Sequence, residues 1–137
     1  MSEPYTGGCA CGAIRYEISA EPVAMNDCQC RQCQRESGTG HASHLTFPNS
    51  AVTVMGQALH WEMVGDTGTV KKRAFCPNCG APVYMTFQDM PDYFVVRAAS
   101  LDDPSRYKPQ MVTWTAAAQA WDHVDPDLPK LDRMPTT

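Results

Sequence analysis

No run of apolar residues in this 137-residue chain approaches the roughly 18 that a bilayer-spanning helix requires, and the opening MSEPYTGG carries no signal-peptide apolar segment. A membrane association is not expected, and a cytoplasmic protein is. Basic charge is also scarce: 11 Lys and Arg stand against 15 Asp and Glu, for a net charge of -4. Non-specific nucleic-acid affinity comes from phosphate neutralisation by Lys and Arg, so this composition argues against a nucleic-acid partner. Internal repeats, low-complexity stretches and Pro/Gly-rich linkers are missing as well, so one domain over residues 1–137 is expected, long enough to bury one core. Helical periodicity is weak, confined to Arg31 to Ser37 and a short piece near Ala116 to Trp121.

What the chain does have is short β-rich segments: Ala13 to Ile18, Val23 to Asp27, His44 to Phe47, Val52 to Met55, Leu59 to Val64, Val70 to Phe75, Pro82 to Phe87 and Tyr93 to Ala98. Turn signals separate them, including Pro48-Asn49-Ser50, Gly65-Asp66-Thr67-Gly68 and Met90-Pro91-Asp92. This spacing predicts a mainly β fold of antiparallel sheets. The tail DPDLPKLDRMPTT has three prolines and reads as an irregular strap, with Trp114 and Trp121 packing in the core or at the rim before it. The eight methionines read as core filler, without the spacing of a copper-binding array.

Seven cysteines are the unusual feature. An odd number without a secretory segment argues for metal binding or catalysis over a disulfide framework. They fall as Cys9-x-Cys11, Cys28-x-Cys30-x-x-Cys33 and Cys76-Pro-Asn-Cys79-Gly80. The last is a zinc-knuckle turn, in which the glycine takes a left-handed conformation and backbone N–H groups face the sulfurs. A knuckle gives two of four ligands. Cys9 and Cys11, projecting to one face of an extended segment about 6.6 Å apart, fit the remaining pair. A redox CxxC is the alternative, but no thioredoxin-like α/β pattern surrounds Cys76. Cys28, Cys30 and Cys33 can converge at the end of the strand that precedes them. Closed structural zinc sites use four protein ligands and catalytic ones three, so seven cysteines divide as four plus three. In competing readings His41, His44 or Asp27 closes the second site, or its three thiols are simply buried without metal.

These motifs resemble the glutathione-dependent formaldehyde-activating enzyme family, shared with centromere protein V. The resemblance rests on GGCACGAIRYEI, NDCQCRQCQRESGTG, FCPNCGAPVY and AASLDDPSRYKPQ, followed by Trp114, Trp121 and DLPK. It implies an Mss4-like fold, a β-tent stapled by zinc. It further implies a structural zinc at Cys9, Cys11, Cys76 and Cys79, and a second, labile zinc in an open site at Cys28, Cys30 and Cys33. The implied activity is that of a carbon-sulfur lyase joining formaldehyde to glutathione or a similar thiol, with a small thiol adduct as ligand. Many members carry only this domain, so a binding or adaptor module without catalysis is the other class. One departure from the family pattern is that His41 and His44 stand where aromatic or aliphatic residues are common.

Three thiolates on Zn²⁺ leave one net negative charge, which makes it a weak Lewis acid and suits it to binding a thiol sulfur rather than to ionising water. His41 and His44 are the candidates for proton transfer to the carbinol oxygen. Arg31 and Arg35 are the candidates for the carboxylates of the adduct, and the run Lys71-Lys72-Arg73 also offers cations, which read most simply as solvated surface charge.

Overall fold

The computed structural model describes residues 3–65 and 68–134. Among the described residues ten strands and one α-helix form in chain order: β1 (Tyr5–Gly8), β2 (Arg15–Ile18), β3 (Ala24–Cys28), α1 (Arg31–Ser37), β4 (Ala42–Pro48), β5 (Val52–Met55), β6 (Leu59–Val64), β7 (Val70–Phe75), β8 (Pro82–Phe87), β9 (Tyr93–Arg97) and β10 (Met111–Thr113). A three-stranded sheet runs β1-β2-β5 and a seven-stranded sheet runs β10-β3-β4-β9-β8-β7-β6. Among the described residues every pairing between strands is antiparallel except one. β10 runs parallel to β3, so the larger sheet, otherwise antiparallel as expected, is mixed at that edge.

Strand alternation explains how the layers pack. β4 sends Leu45 and Phe47 into a core between the sheets, shared with Tyr5, Ile14, Tyr16, Ile18, Phe94 and Val96. The intervening residues of β4, Ala42 and His44, belong to the opposite face, where Ala42 packs on Cys28 and Cys33. One strand thus supplies core on one side and the wall of a site on the other. Tyr5 meets Phe47 edge to face with ring centroids 5.1 Å apart.

The strands expected from alternation are present: β5 to β8 have the expected bounds, and the ends of β2, β3, β4 and β9 move by one or two residues. β1 and β10 were not foreseen. Tyr5-Thr6-Gly7-Gly8 has the glycines of a turn, yet Gly7 is needed because a Cβ there would lie 2.3 Å from the Ser100 carbonyl oxygen and 2.4 Å from the Tyr16 hydroxyl. β10 has three residues, too few to show alternation. The helix near Ala116 is only a 3₁₀ turn, Thr115–Ala117. In the Gly65-Asp66-Thr67-Gly68 turn, Asp66 and Thr67 lie outside the described residues, as do Pro135 to Thr137 of the tail. The described tail is the irregular strap expected: it touches β10 through one parallel bridge, with Val112 N–H donating to Pro129 O and Leu131 N–H to Val112 O, both at 2.9 Å. Among the described residues no helix is long and apolar enough to cross a membrane.

Candidate metal centres and the adjoining cavity

The knuckle folds as its sequence requires. Gly80 takes φ 76° and donates its N–H to Cys76 O at 2.8 Å, while the N–H groups of Asn78 and Cys79 lie 3.3 and 3.5 Å from Cys76 Sγ. Cys9 and Cys11 come from a turn after β1 and not from an extended segment, so their sulfurs sit 3.6 Å apart instead of at strand spacing. Cys11 Sγ is 3.7 Å from Cys76 Sγ. The four sulfurs lie within 4.8 Å of one another.

The donor set fits zinc. Tetrahedral coordination with Zn–S near 2.3 Å requires sulfur-to-sulfur edges of about 3.8 Å, and all the cysteines are free thiols. Burial opposes ionisation of Cys9, but the Ile14 N–H and the thiols of Cys11 and Cys76 outweigh it and lower its pKa to about 6. The Ala81 backbone leads the contributions that lower Cys79. Thiolates are the forms that bind metal, so both effects favour an ion here.

The second cluster is built from the end of β3 and the start of α1. Cys28 ends the strand, Cys30 is the N-cap residue of α1, and Cys33 lies in its first turn with its N–H 3.2 Å from Cys30 Sγ. Gly38 ends the helix at φ 76°, where its N–H meets Gln34 O at 2.9 Å. The three sulfurs lie within 4.8 Å of one another, and no fourth His, Cys, Asp or Glu joins them among the described residues. Asp27 is engaged elsewhere, its Oδ1 accepting from the hydroxyls of Ser43 and Tyr107, both at 2.7 Å. Hydrogen bonds from Cys28 and Cys33, with support from the Lys71 charge, hold the Cys30 thiol well below its usual range, and the same sharing pushes Cys28 and Cys33 up. Trp114 packs on this cluster in a left-handed backbone conformation, φ 59°, which a bulky residue adopts only when its surroundings impose it. Trp121 is 60% exposed and packs in no core.

The two histidines have different environments. His41 Nδ1 is 2.9 Å from Asp122 Oδ2, and Asp122 also accepts from Gln29 Nε2 at 3.0 Å. His44 is fully buried on β4; burial first, then the Arg97 and Arg73 charges, push its pKa down to about 3, so the ring is neutral at physiological pH.

Among the cations, Arg31 and Arg35 are exposed on α1, and Arg31 bonds to Gln34 Oε1. The run on β7 is not surface charge as expected: Lys71 and Lys72 are half-buried and Arg73 is buried. Arg73 and Arg97 both form ion pairs with Glu36 of α1, a triad that sequence reading did not anticipate. Only the burial of one Arg in a charged run could have signalled it, and burial is not visible locally.

A cavity of about 910 Å³ opens beside these elements, lined among others by Cys9, Arg15, Glu36, His41, Arg97 and Asp102. It touches the first cysteine cluster at Cys9 and passes the C-terminal end of α1, but none of the three sulfurs of the second cluster lines it.

A mainly β protein with two converging sets of thiols defines the class: a small β-sheet protein whose cysteines can hold metal, consistent with zinc. The family of the glutathione-dependent formaldehyde-activating enzyme matches residues 4–117, and the chain belongs to that family, whose fold is Mss4-like. A crystal structure of a Rhodobacter sphaeroides protein is similar over 91% of this chain and 98% of that one, with a TM-score of 0.57 and 20% identity, a likeness of fold.

Proposed function

We propose that this chain is a single-domain, zinc-dependent enzyme of the carbon-sulfur lyase type, acting on a formaldehyde adduct of glutathione or a similar small thiol. The observation that carries this reading is the incomplete ligand set at Cys28, Cys30 and Cys33: three thiols converge, and among the described residues no fourth His, Cys, Asp or Glu joins them. A zinc ion there would supply a position for a thiol sulfur and favour its thiolate. The quartet Cys9, Cys11, Cys76 and Cys79 would hold the structural zinc. Seven reduced thiols suit a cytoplasmic setting.

In the reaction, the thiol sulfur attacks the aldehyde carbon, the C–S bond forms, and the carbonyl π pair moves to oxygen, which takes up a proton; the lyase direction is the reverse. His41 is the residue proposed to exchange that proton. It directly precedes Ala42, which packs on Cys28 and Cys33, and Asp122 lies at its Nδ1, leaving Nε2 as the exchanging nitrogen. His44, buried and neutral, is not assigned this role.

Exchange NMR with ¹³C-formaldehyde and glutathione tests the proposal. The exchange rate into S-hydroxymethylglutathione should rise with added wild-type protein and not with Cys30→Ser. A rate independent of protein, with both reactants saturating, would leave a zinc-stapled binding module as the reading.

A further inference from the structure

The sheet face that carries the three-thiol cluster holds more positive charge than its own partners neutralise. Arg73 on β7 and Arg97 on β9 both close on Glu36, which follows Cys33 by three residues and so lies on the same side of α1. Two guanidiniums against one carboxylate leave a positive charge where Arg73 is only 6% exposed. Lys71, two residues along β7 and therefore on the same face, adds another within electrostatic range of Cys30 and His44. Three thiolates around a divalent cation would return one negative charge. One positive charge remains, and a desolvated charge is costly unless paired.

Buried nitrogens without partners collect at the same place. His44 lies opposite Arg97 in the β4–β9 register, is 6% exposed, and its Nε2 has no hydrogen-bond partner. Arg73 Nη1 is ion-paired with Glu36 and Nε bonds Met63 Sδ at 3.1 Å, while the buried Nη2 has no hydrogen-bond partner. Folded proteins leave few buried polar atoms in this condition, and each asks for an explanation. A singly charged group with two acceptor oxygens answers both the charge and the donors, and a carboxylate matches the planar guanidinium fork.

We propose that Arg73 and His44, supported by Arg97 and Lys71, form an oxyanion subsite beside Cys28, Cys30 and Cys33, and that it receives the carboxylate of the same small thiol whose sulfur the cluster takes. The identity of the carrier rests on the thiol-adduct reading above; the charge count and the unpartnered nitrogens do not. The subsite makes a carboxylate on the thiol a determinant of specificity, and it assigns that recognition to the buried His44 and Arg73, with the half-buried Lys71 and Arg97, in place of the exposed Arg31 and Arg35.

Isothermal titration calorimetry on the zinc-loaded protein tests this with 3-mercaptopropionate and 2-mercaptoethanol, thiols of similar size with and without a carboxylate. The first should bind about tenfold tighter or better, and Arg73→Gln and His44→Leu should each erase most of that preference while moving 2-mercaptoethanol by less than about twofold. If Arg73→Gln does not fold, Lys71→Gln takes its place beside His44→Leu. Equal binding of the two thiols to wild type, or a preference that survives in the folded variants, overturns the subsite. If neither thiol binds, acetate decides: a rise in melting temperature over chloride at equal ionic strength, lost in His44→Leu, supports the subsite, and its absence overturns it. Turnover without carboxylate preference would remove the subsite and keep the lyase. Carboxylate recognition without turnover would do the reverse.

Discussion

The Asp122 carboxylate reaches within 2.9 Å of His41 Nδ1 across 81 residues of sequence, through space that Gly40 leaves open. A Cβ on Gly40 would lie 2.2 Å from the Asp122 Cβ and Cγ, so any side chain there displaces the partner that fixes the imidazole. Gly40→Ala should therefore cost about 1 to 3 kcal/mol of stability by overpacking and reduce turnover by more than the stability loss explains. Melting curves and exchange rates on the folded fraction check this. A variant of normal activity would detach His41 from proton transfer.

The two cysteine clusters should respond differently to loss of a ligand. Cys79→Ser removes one of the four thiols proposed to hold the structural zinc, and structural zinc binding of about 10 to 16 kcal/mol is comparable to or larger than a domain's whole stability of about 5 to 15 kcal/mol. That variant should unfold or fail to accumulate. Cys30→Ser should keep its circular dichroism spectrum and lose only the second metal. Brief chelation of wild type should likewise remove one zinc quickly and the other slowly. Loss of both at one rate, or complete unfolding of Cys30→Ser, would make both sites structural.

Glu36 separates the buried Arg73 guanidinium from the half-buried Arg97 one. Glu36→Gln leaves Arg73 and Arg97 facing each other without a counter-charge, and breaking a buried pair in this way costs about 3 to 5 kcal/mol. Urea unfolding should report a loss of unfolding free energy of that size, larger than for Arg31→Gln, whose side chain is exposed.

At the rim of the cavity the hydrogen bond from Arg15, followed by that from Thr6, holds the Asp102 carboxyl down to about 2. A group lowered on folding stabilises the native state above its unfolded pKa, near 3.9, and that contribution is lost as pH falls through about 2. The pair is open to solvent, with Arg15 and Asp102 side chains 38% and 48% exposed, so its worth is below about 1 kcal/mol. Asp102→Asn should melt slightly below wild type at pH 7, and the difference should shrink toward zero between pH 4 and pH 2. A gap that widens on acidification would contradict the pairing.

Local spacing carried the information that was legible in the sequence. Two residues between Cys76 and Cys79 with a glycine after them make a knuckle wherever it is placed, because the turn closes on its own backbone. The same holds for α1, which starts at a cysteine able to accept from Cys33 N–H and stops at a glycine that tolerates positive φ. Alternation over four to seven residues gave most of the strands. Pairing across the chain was decided by the tertiary structure. Nothing near Arg73 indicates that it will be buried against Glu36 and Arg97, nothing near His41 indicates Asp122, and three residues of β10 gain a strand partner only because β3 offers a free edge running the same way. Cys9 and Cys11 show both levels at once: their spacing brings two sulfurs close, and the fold determines that they meet Cys76 and Cys79. A residue pattern specifies the geometry that a few neighbouring dihedral angles can fix, whereas a long-range contact depends on how every intervening element packs, and that is settled by burial of the shared core.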